Sequence, residues 1–196
     1  MSPATIPDFD HHGHTVLKPS ALAHVVLQTS NLKRMVDFYT EFLGGTITHR
    51  NDMIAFITYD EEHHRIAVIE VPGTAAKDAK TSGLHHISFA FKSLADLLLA
   101  YRQRKTHGID PVWCVNHGPT TSIYYKDSDG NMLETQVDNF DTVDEATQFM
   151  MTQDFAENPI GTDFDPEDLI KAIKSGVEES VLKKRKEIGP RGLPDL

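Results

Sequence analysis

A pattern that recurs after 62 residues constrains this chain more than any other feature. Shifting the sequence by that interval places His24 on His86, Asn31 on Ser93, Leu32 on Leu94, Met35 on Leu97, Val36 on Leu98 and Tyr39 on Tyr101. Few of these are identities. Strand histidine, helix cap and helix stripe nevertheless coincide at one offset, which favours a duplication over the loose echoes that any α+β chain shows. In the first unit, LAHVVLQT (22–29) is rich in β-branched residues and reads as a strand. Ser30 and Asn31 offer caps, Leu32, Met35, Val36 and Tyr39 give a helical stripe, and Gly44-Gly45 stops it. Strand-like runs follow at 53–59 and 65–71, ending at Pro72-Gly73, and residues 73–82 form a small, polar connector. The second unit repeats the order: a strand at 84–91, a capping box from Ser93, a helix closed by Gly108, and strands at 111–115, 121–126 and 132–137. The expected fold is α+β, with two βαβββ units forming one curved, barrel-like mixed sheet around a metal site.

Three segments follow from this pattern. Residues 1–20, with three prolines and His11, His12 and His14, read as an N-terminal arm to which no role is assigned. Residues 21–140 hold the duplicated module, as units 21–72 and 83–140, and residues 141–196 are a helical extension. There, Thr142 to Glu145 is a capping box, and Asp165-Pro166-Glu167-Asp168 opens a helix. An apolar stripe of Leu169, Ile170, Ile173, Val177 and Val181 runs on to Gly189, with Lys183 to Lys186 as a basic last turn. Docking on its own domain is the favoured role for that helix, and a homo-oligomer contact is the runner-up.

Charge and composition exclude several classes. Nineteen Lys and Arg against 29 Asp and Glu give a net charge of −10, which disfavours general nucleic-acid binding. The apolar runs fall short of the roughly 18–20 residues needed to cross a bilayer, so no membrane partner is expected. The single cysteine, Cys114, rules out a disulfide framework or an all-cysteine metal site and reads as a buried small hydrophobe. No secretory signal is visible, and the expected setting is cytoplasmic. What stands out is 11 histidines. His24 and His86 are related by the repeat, and Glu134 lies in the last strand of the second unit. Each alone reads as an ordinary core or surface residue, but together they make a 2-His-1-carboxylate set, which suits a divalent metal with open positions.

The segments AHVVLQTSNLKRMVDFYTEFLGG, GLHHISFAFKSLADLL and HGPTTSIYYKDSDGNMLE resemble the vicinal-oxygen-chelate superfamily, and within it the type I extradiol catechol dioxygenases. The resemblance covers about residues 20–140. It implies Fe(II), with Mn(II) also suited, held by His24, His86 and Glu134. It further implies that His64, in EHHRIAV, is the acid–base, and that His117 and Tyr124, in HGPTTSIYY, hydrogen-bond the reacting oxygens. Neighbouring strand residues point to opposite faces, which leaves His63 or His64 open as the inward one, while the repeat selects His86 over His85. Pairing the last strands of the units sets Val68 opposite Glu134, where glyoxalase-like and epimerase-like members carry a fourth ligand. The implied partners are a small aromatic diol and O2, and the implied product is a ring-opened semialdehyde acid. The alternatives are a metal-dependent glyoxalase- or epimerase-like lyase or isomerase on the same scaffold, and a non-catalytic small-molecule binding module.

Overall fold

A computed structural model describes residues 6, 9–10, 14–78 and 80–194. His11 and His12 lie outside the described residues. The first unit runs β1 (Val25–Thr29), α1 (Leu32–Leu43), β2 (Thr46–Arg50), β3 (Ile54–Thr58) and β4 (Ile66–Glu70). The second runs β5 (His86–Ala90), α2 (Leu94–Thr106), β6 (Trp113–Asn116), β7 (Thr120–Lys126) and β8 (Met132–Asp138). Both helices form where cap and stripe predict them. The Asn31 side chain accepts from Arg34 N–H, that of Ser93 accepts from Asp96 N–H, and Gly44 closes α1 at φ 60°. Leu32, Met35, Val36, Tyr39 and Phe42 are the buried stripe of α1; Leu94, Leu97, Leu98 and Tyr101 are that of α2.

In each unit the first strand lies parallel to the last. The sheets run β1-β4-β3-β2 and β5-β8-β7-β6, the second continued beyond β6 by the short strand β9 (Thr162–Asp163). The α+β class and the two βαβββ units are as expected, but the backbone ladders divide the strands into two sheets. One strand, β2, is absent from the sequence pattern. TITHR is exposed along its whole length at a sheet edge, so no alternation of burial marks it.

The units meet through side chains. Phe42, 1% exposed, packs edge-on against Phe89 and Tyr125 of the second unit. The Arg104 guanidinium lies 4.3 Å from the centre of the Phe42 ring, and its Nε donates to the Phe42 carbonyl at 2.9 Å. The Tyr39 hydroxyl donates at 2.9 Å to Asp127, which also anchors the 127–131 turn by accepting from the backbone N–H groups of Asp129 and Asn131.

Residues beyond β8 form α3 (Val143–Met150), α4 (Gln153–Glu157), β9 (Thr162–Asp163), α5 (Pro166–Lys174) and α6 (Glu179–Leu182). The capping box of Thr142 and Glu145 is present, and Pro166 opens α5 as expected. The expected single helix running on to Gly189 is instead two, broken at Gly176 with φ 89°. Beyond the break Val181 is 55% exposed, so the apolar stripe ends as a docking face near Ile173. The extension packs on its own chain: β9 adds to the edge of β6, and Glu179 accepts from the first N–H groups of α2. No helix among the described residues is long and apolar enough to cross a membrane.

Candidate metal and acid–base site

The face of the second sheet turned away from the helices is set by strand register. His86 pairs with Met132, Ser88 with Glu134, and Tyr124 with both Glu134 and Trp113 across two ladders. Residues directly opposite share a face, so Trp113, Tyr124, Glu134, Ser88 and His86 point the same way. His86 Nε2 lies 3.1 Å from Glu134 Oε2. The Glu134 side chain is 6% exposed; burial raises its pKa, but contacts from His86, Ser122 and Ser88 outweigh this and hold it at about 2. Glu134 is therefore a buried anion with imidazole and hydroxyl neighbours, which is the environment of a carboxylate donor to a cation.

Beside it stand Tyr124 and His117. His117 Nε2 is 3.0 Å from the Tyr124 hydroxyl, and Nδ1 faces the Ile160 carbonyl. A carbonyl only accepts, so Nδ1 carries the proton and Nε2 accepts from Tyr124. Burial lowers the pKa of His117, and burial followed by the Glu134 charge raises that of Tyr124. At neutral pH the pair is thus a neutral imidazole and an intact phenol. Trp113 stacks on Tyr124 with centroids 5.0 Å apart and donates Nε1–H to Asp163 of β9 at 2.7 Å.

The first unit contributes a different group. His24 precedes β1, and its ring centroid is 4.5 Å from that of His64. His64 is 8% exposed and stacks on Phe56, whereas the His63 side chain is 73% exposed and lies beside Glu62. Of the two neighbours, His64 is the one turned inward. Burial, and then the neighbouring His63 and His24, lower its pKa. A cavity of about 270 Å³ has His24, Tyr59 and Arg65 on one side and Ile87, Ser88 and Phe89 on the other.

The structure thus brings His86 to Glu134, His24 to His64, and His117 to Tyr124. Among the described residues no three His, Cys, Asp or Glu side chains close around one point. Two imidazoles and an ionised carboxylate remain a donor set whose chemistry fits a divalent metal, with His24 facing the Ser88 side of the cavity.

Register corrects one expectation from the sequence. Val25 pairs with Ile66, 41 residues on, but His86 pairs with Met132, 46 residues on. The counterpart of the Ser88–Glu134 pair is therefore Val26–Ala67. Val68 is fully buried on the helix side, paired with Leu27 and Ala55. The fourth-ligand position holds Ala67, which has no donor atom. Glu70 instead accepts from Leu32 N–H at 2.7 Å and caps α1.

Sequence reasoning missed Arg185. It sits in the run read as the basic last turn of a helix, yet its side chain is 1% exposed and its Nη1 donates at 3.0 Å to the His117 carbonyl. A charge run carries no signal of such burial, because apart from Glu187 the acceptors are backbone carbonyls.

The model of the Glyoxalase/Bleomycin resistance protein/Dioxygenase superfamily matches residues 21–135. The chain is 44% identical over 166 residues to biphenyl-2,3-diol 1,2-dioxygenase 3 of Rhodococcus globerulus, covering 84% of this chain and 87% of that one. It is 43% identical over 155 residues to biphenyl-2,3-diol 1,2-dioxygenase 2 of the same organism, covering 79% and 82%. Either alignment is longer than residues 1–140, so the likeness continues into the C-terminal extension. Among solved structures, a glyoxylase/bleomycin resistance protein/dioxygenase domain from Frankia sp. EAN1pec superposes with a TM-score of 0.52 at 23% identity, covering 62% of this chain and 99% of that one. That likeness concerns the fold alone.

Proposed function

The chain belongs to the glyoxalase/bleomycin resistance protein/dioxygenase superfamily, and on that premise we propose that it is an extradiol dioxygenase opening the ring of a catechol-type aromatic diol with O2. The observation that carries the reading is the common face of His86, Glu134 and Tyr124, with His117 hydrogen-bonded to that tyrosine. His24, His86 and Glu134 would hold Fe(II), or Mn(II), which the same donors suit. Bound there, the metal supplies Lewis-acid activation of the diol and a position for O2. Ala67 favours this chemistry over the lyase or isomerase alternative, which needs a fourth donor from the first unit. The retained histidines and carboxylate likewise favour catalysis over simple binding.

The protein's own groups divide the remaining work. His64, kept neutral by burial, accepts a proton from a diol hydroxyl and later returns it. Tyr124 stabilises charge that develops on the substrate oxygens by turning its one hydroxyl hydrogen, which the phenol keeps, from His117 Nε2 to the substrate, and His117 holds that hydroxyl in place until then. Trp113, stacked on Tyr124, holds that ring in place and keeps water from it. Both atoms of O2 enter the product, a ring-opened semialdehyde carboxylic acid, so one catechol consumes one O2 and no external reductant. The free Cys114 fits a reducing, cytoplasmic setting.

The test is to load the full chain with Fe(II) anaerobically, add a panel of catechols and admit air. Equimolar O2 uptake with a yellow ring-fission product is expected. No product from any catechol, together with turnover of a glutathione hemithioacetal or an acyl-CoA epimer, would overturn the reading.

A further inference from the structure

The residues that orient His117 come from outside the duplicated module. Asn158, 1% exposed, closes a turn by donating Nδ2–H to the Gly161 carbonyl at 3.1 Å and accepting from Gly161 N–H at 2.8 Å. That turn presents the Ile160 carbonyl to His117 Nδ1. Its back is pressed onto β6: Gly161 has φ 106°, and a Cβ added there would lie 2.2 Å from the Asn116 carbonyl oxygen. Arg185 then ties turn and histidine together. One Nη1 donates to both the His117 carbonyl (3.0 Å) and the Asn158 carbonyl (2.7 Å), and Nη2 donates to the Asp154 carbonyl at 3.2 Å. The opposite edge of the guanidinium meets Glu187 through two hydrogen bonds of 2.9 and 2.7 Å, and the Phe149 ring covers it at 5.1 Å. A guanidinium buried to this degree is costly unless every edge is used, and here one edge goes to Glu187 while Nη1 goes to the backbone on both sides of the His117–Ile160 contact.

We propose that Arg185 is a positioning residue for the ring-opening reaction: by locking the 158–161 turn onto β6 it fixes His117 as the Nδ1–H tautomer, so that Nε2 is the acceptor facing Tyr124. A histidine whose outer nitrogen is held by a carbonyl cannot rotate or exchange tautomers without breaking that bond. Without the brace, either nitrogen can carry the proton, and in the Nε2–H form the ring no longer accepts from Tyr124. The C-terminal extension thereby becomes part of the catalytic geometry, although none of its side chains is placed against the substrate.

The inference rests on the dioxygenase reading for its effect on rate, but its primary test does not. In the metal-free full chain with ¹⁵N-labelled histidine, long-range ¹H–¹⁵N correlations report each tautomer, and a His117→Phe variant identifies the His117 signals. Wild-type protein is expected to show His117 as Nδ1–H alone; an Nε2–H form or a mixture overturns the proposal before any variant is made. Arg185→Met, in chains whose amide spectra show the native fold, is expected to give both tautomers. With iron and a catechol it should lower kcat about tenfold while KM changes little. Gly161→Ala, which displaces the same turn with Arg185 intact, should give the same tautomer mixture. An Arg185→Met chain that keeps pure Nδ1–H and wild-type kcat refutes the role of Arg185. Absence of turnover in wild type would instead refute the ring-cleavage reading and leave the tautomer result standing.

Discussion

The two units share a chain path and differ in what they bury. Each has a capped helix over a four-strand core, and each helix has its first free N–H groups satisfied by a glutamate from elsewhere. That glutamate is Glu70 of the same unit for α1 and Glu179 of the extension for α2. On the site face the first unit carries Val26, Ala67 and Phe56, with His64 stacked on the phenylalanine and His24 against it. The second carries Ser88, Glu134, Tyr124 and Trp113, and a fifth strand covers its edge. The difference shows how a duplicated frame becomes an asymmetric site. A buried carboxylate requires donors around it, and the unit that has Glu134 also has His86, Ser88 and Ser122. The unit that has Ala67 needs none, so aromatic stacking holds its imidazoles instead.

Substitutions on the two sides should therefore fail differently. The largest effect is expected from Glu134→Ala, which should abolish both iron retention and O2 uptake, measured by metal analysis and an oxygen electrode. A variant that keeps iron would remove Glu134 from the ligand set. His24→Ala should match it from the first unit, although that position is exposed. His64→Ala should keep iron and lose about 10²–10⁴-fold in kcat, the usual worth of a general acid–base. The neighbouring His63→Ala should stay within about threefold of wild type, and equal losses from both variants would break the assignment of the inward histidine.

The seam between the units offers a stability test. Phe42→Ala should cost about 3–5 kcal/mol in urea unfolding, because it opens a cavity against Phe89, Tyr125 and Arg104 at once.

A pH test reads the buried anion alone. Glu134 titrates at about 2 folded, against an ordinary 4.5, so as pH falls the unfolded chain binds the proton first. The stability it contributes is complete above about pH 4.5 and is lost as pH drops towards 2, on the order of 3 kcal/mol in all. In metal-free protein, urea midpoints at pH 6 and pH 3 should differ by less in Glu134→Gln than in wild type. Equal differences would mean that the carboxylate is not held as described. The smallest effect is at Cys114, whose thiol burial pushes up to about 12. Folded protein should resist a thiol-specific disulfide reagent at pH 8 and react only on unfolding.

Much of this frame is readable in the chain. The stripes at Leu32–Tyr39 and Leu94–Tyr101 give the two helices, because a helix face repeats every 3.6 residues whatever it packs against. Ser93, Thr142 and Pro166 mark helix starts for reasons just as local. Edge strand β2 is illegible because it buries nothing, and the break at Gly176 is hidden because the apolar spacing runs straight through it.

Sequence by itself determined the duplicated α+β frame, the family, and the imidazole and carboxylate groups available for chemistry. Only tertiary structure decided which of them face one another. The second unit has five extra residues between first and last strand, one more than pairing Val68 with Glu134 assumes, and a slip of one residue moves every side chain to the opposite face, so Ala67 rather than Val68 stands where Glu134 does. Only the fold could show that His64 turns in while His63 turns out. The same holds for Arg185: its pairing with Glu187 is a local charge pair, and its bonds to the main-chain carbonyls of His117 and Asn158 leave no mark in the identity of the residues that make them.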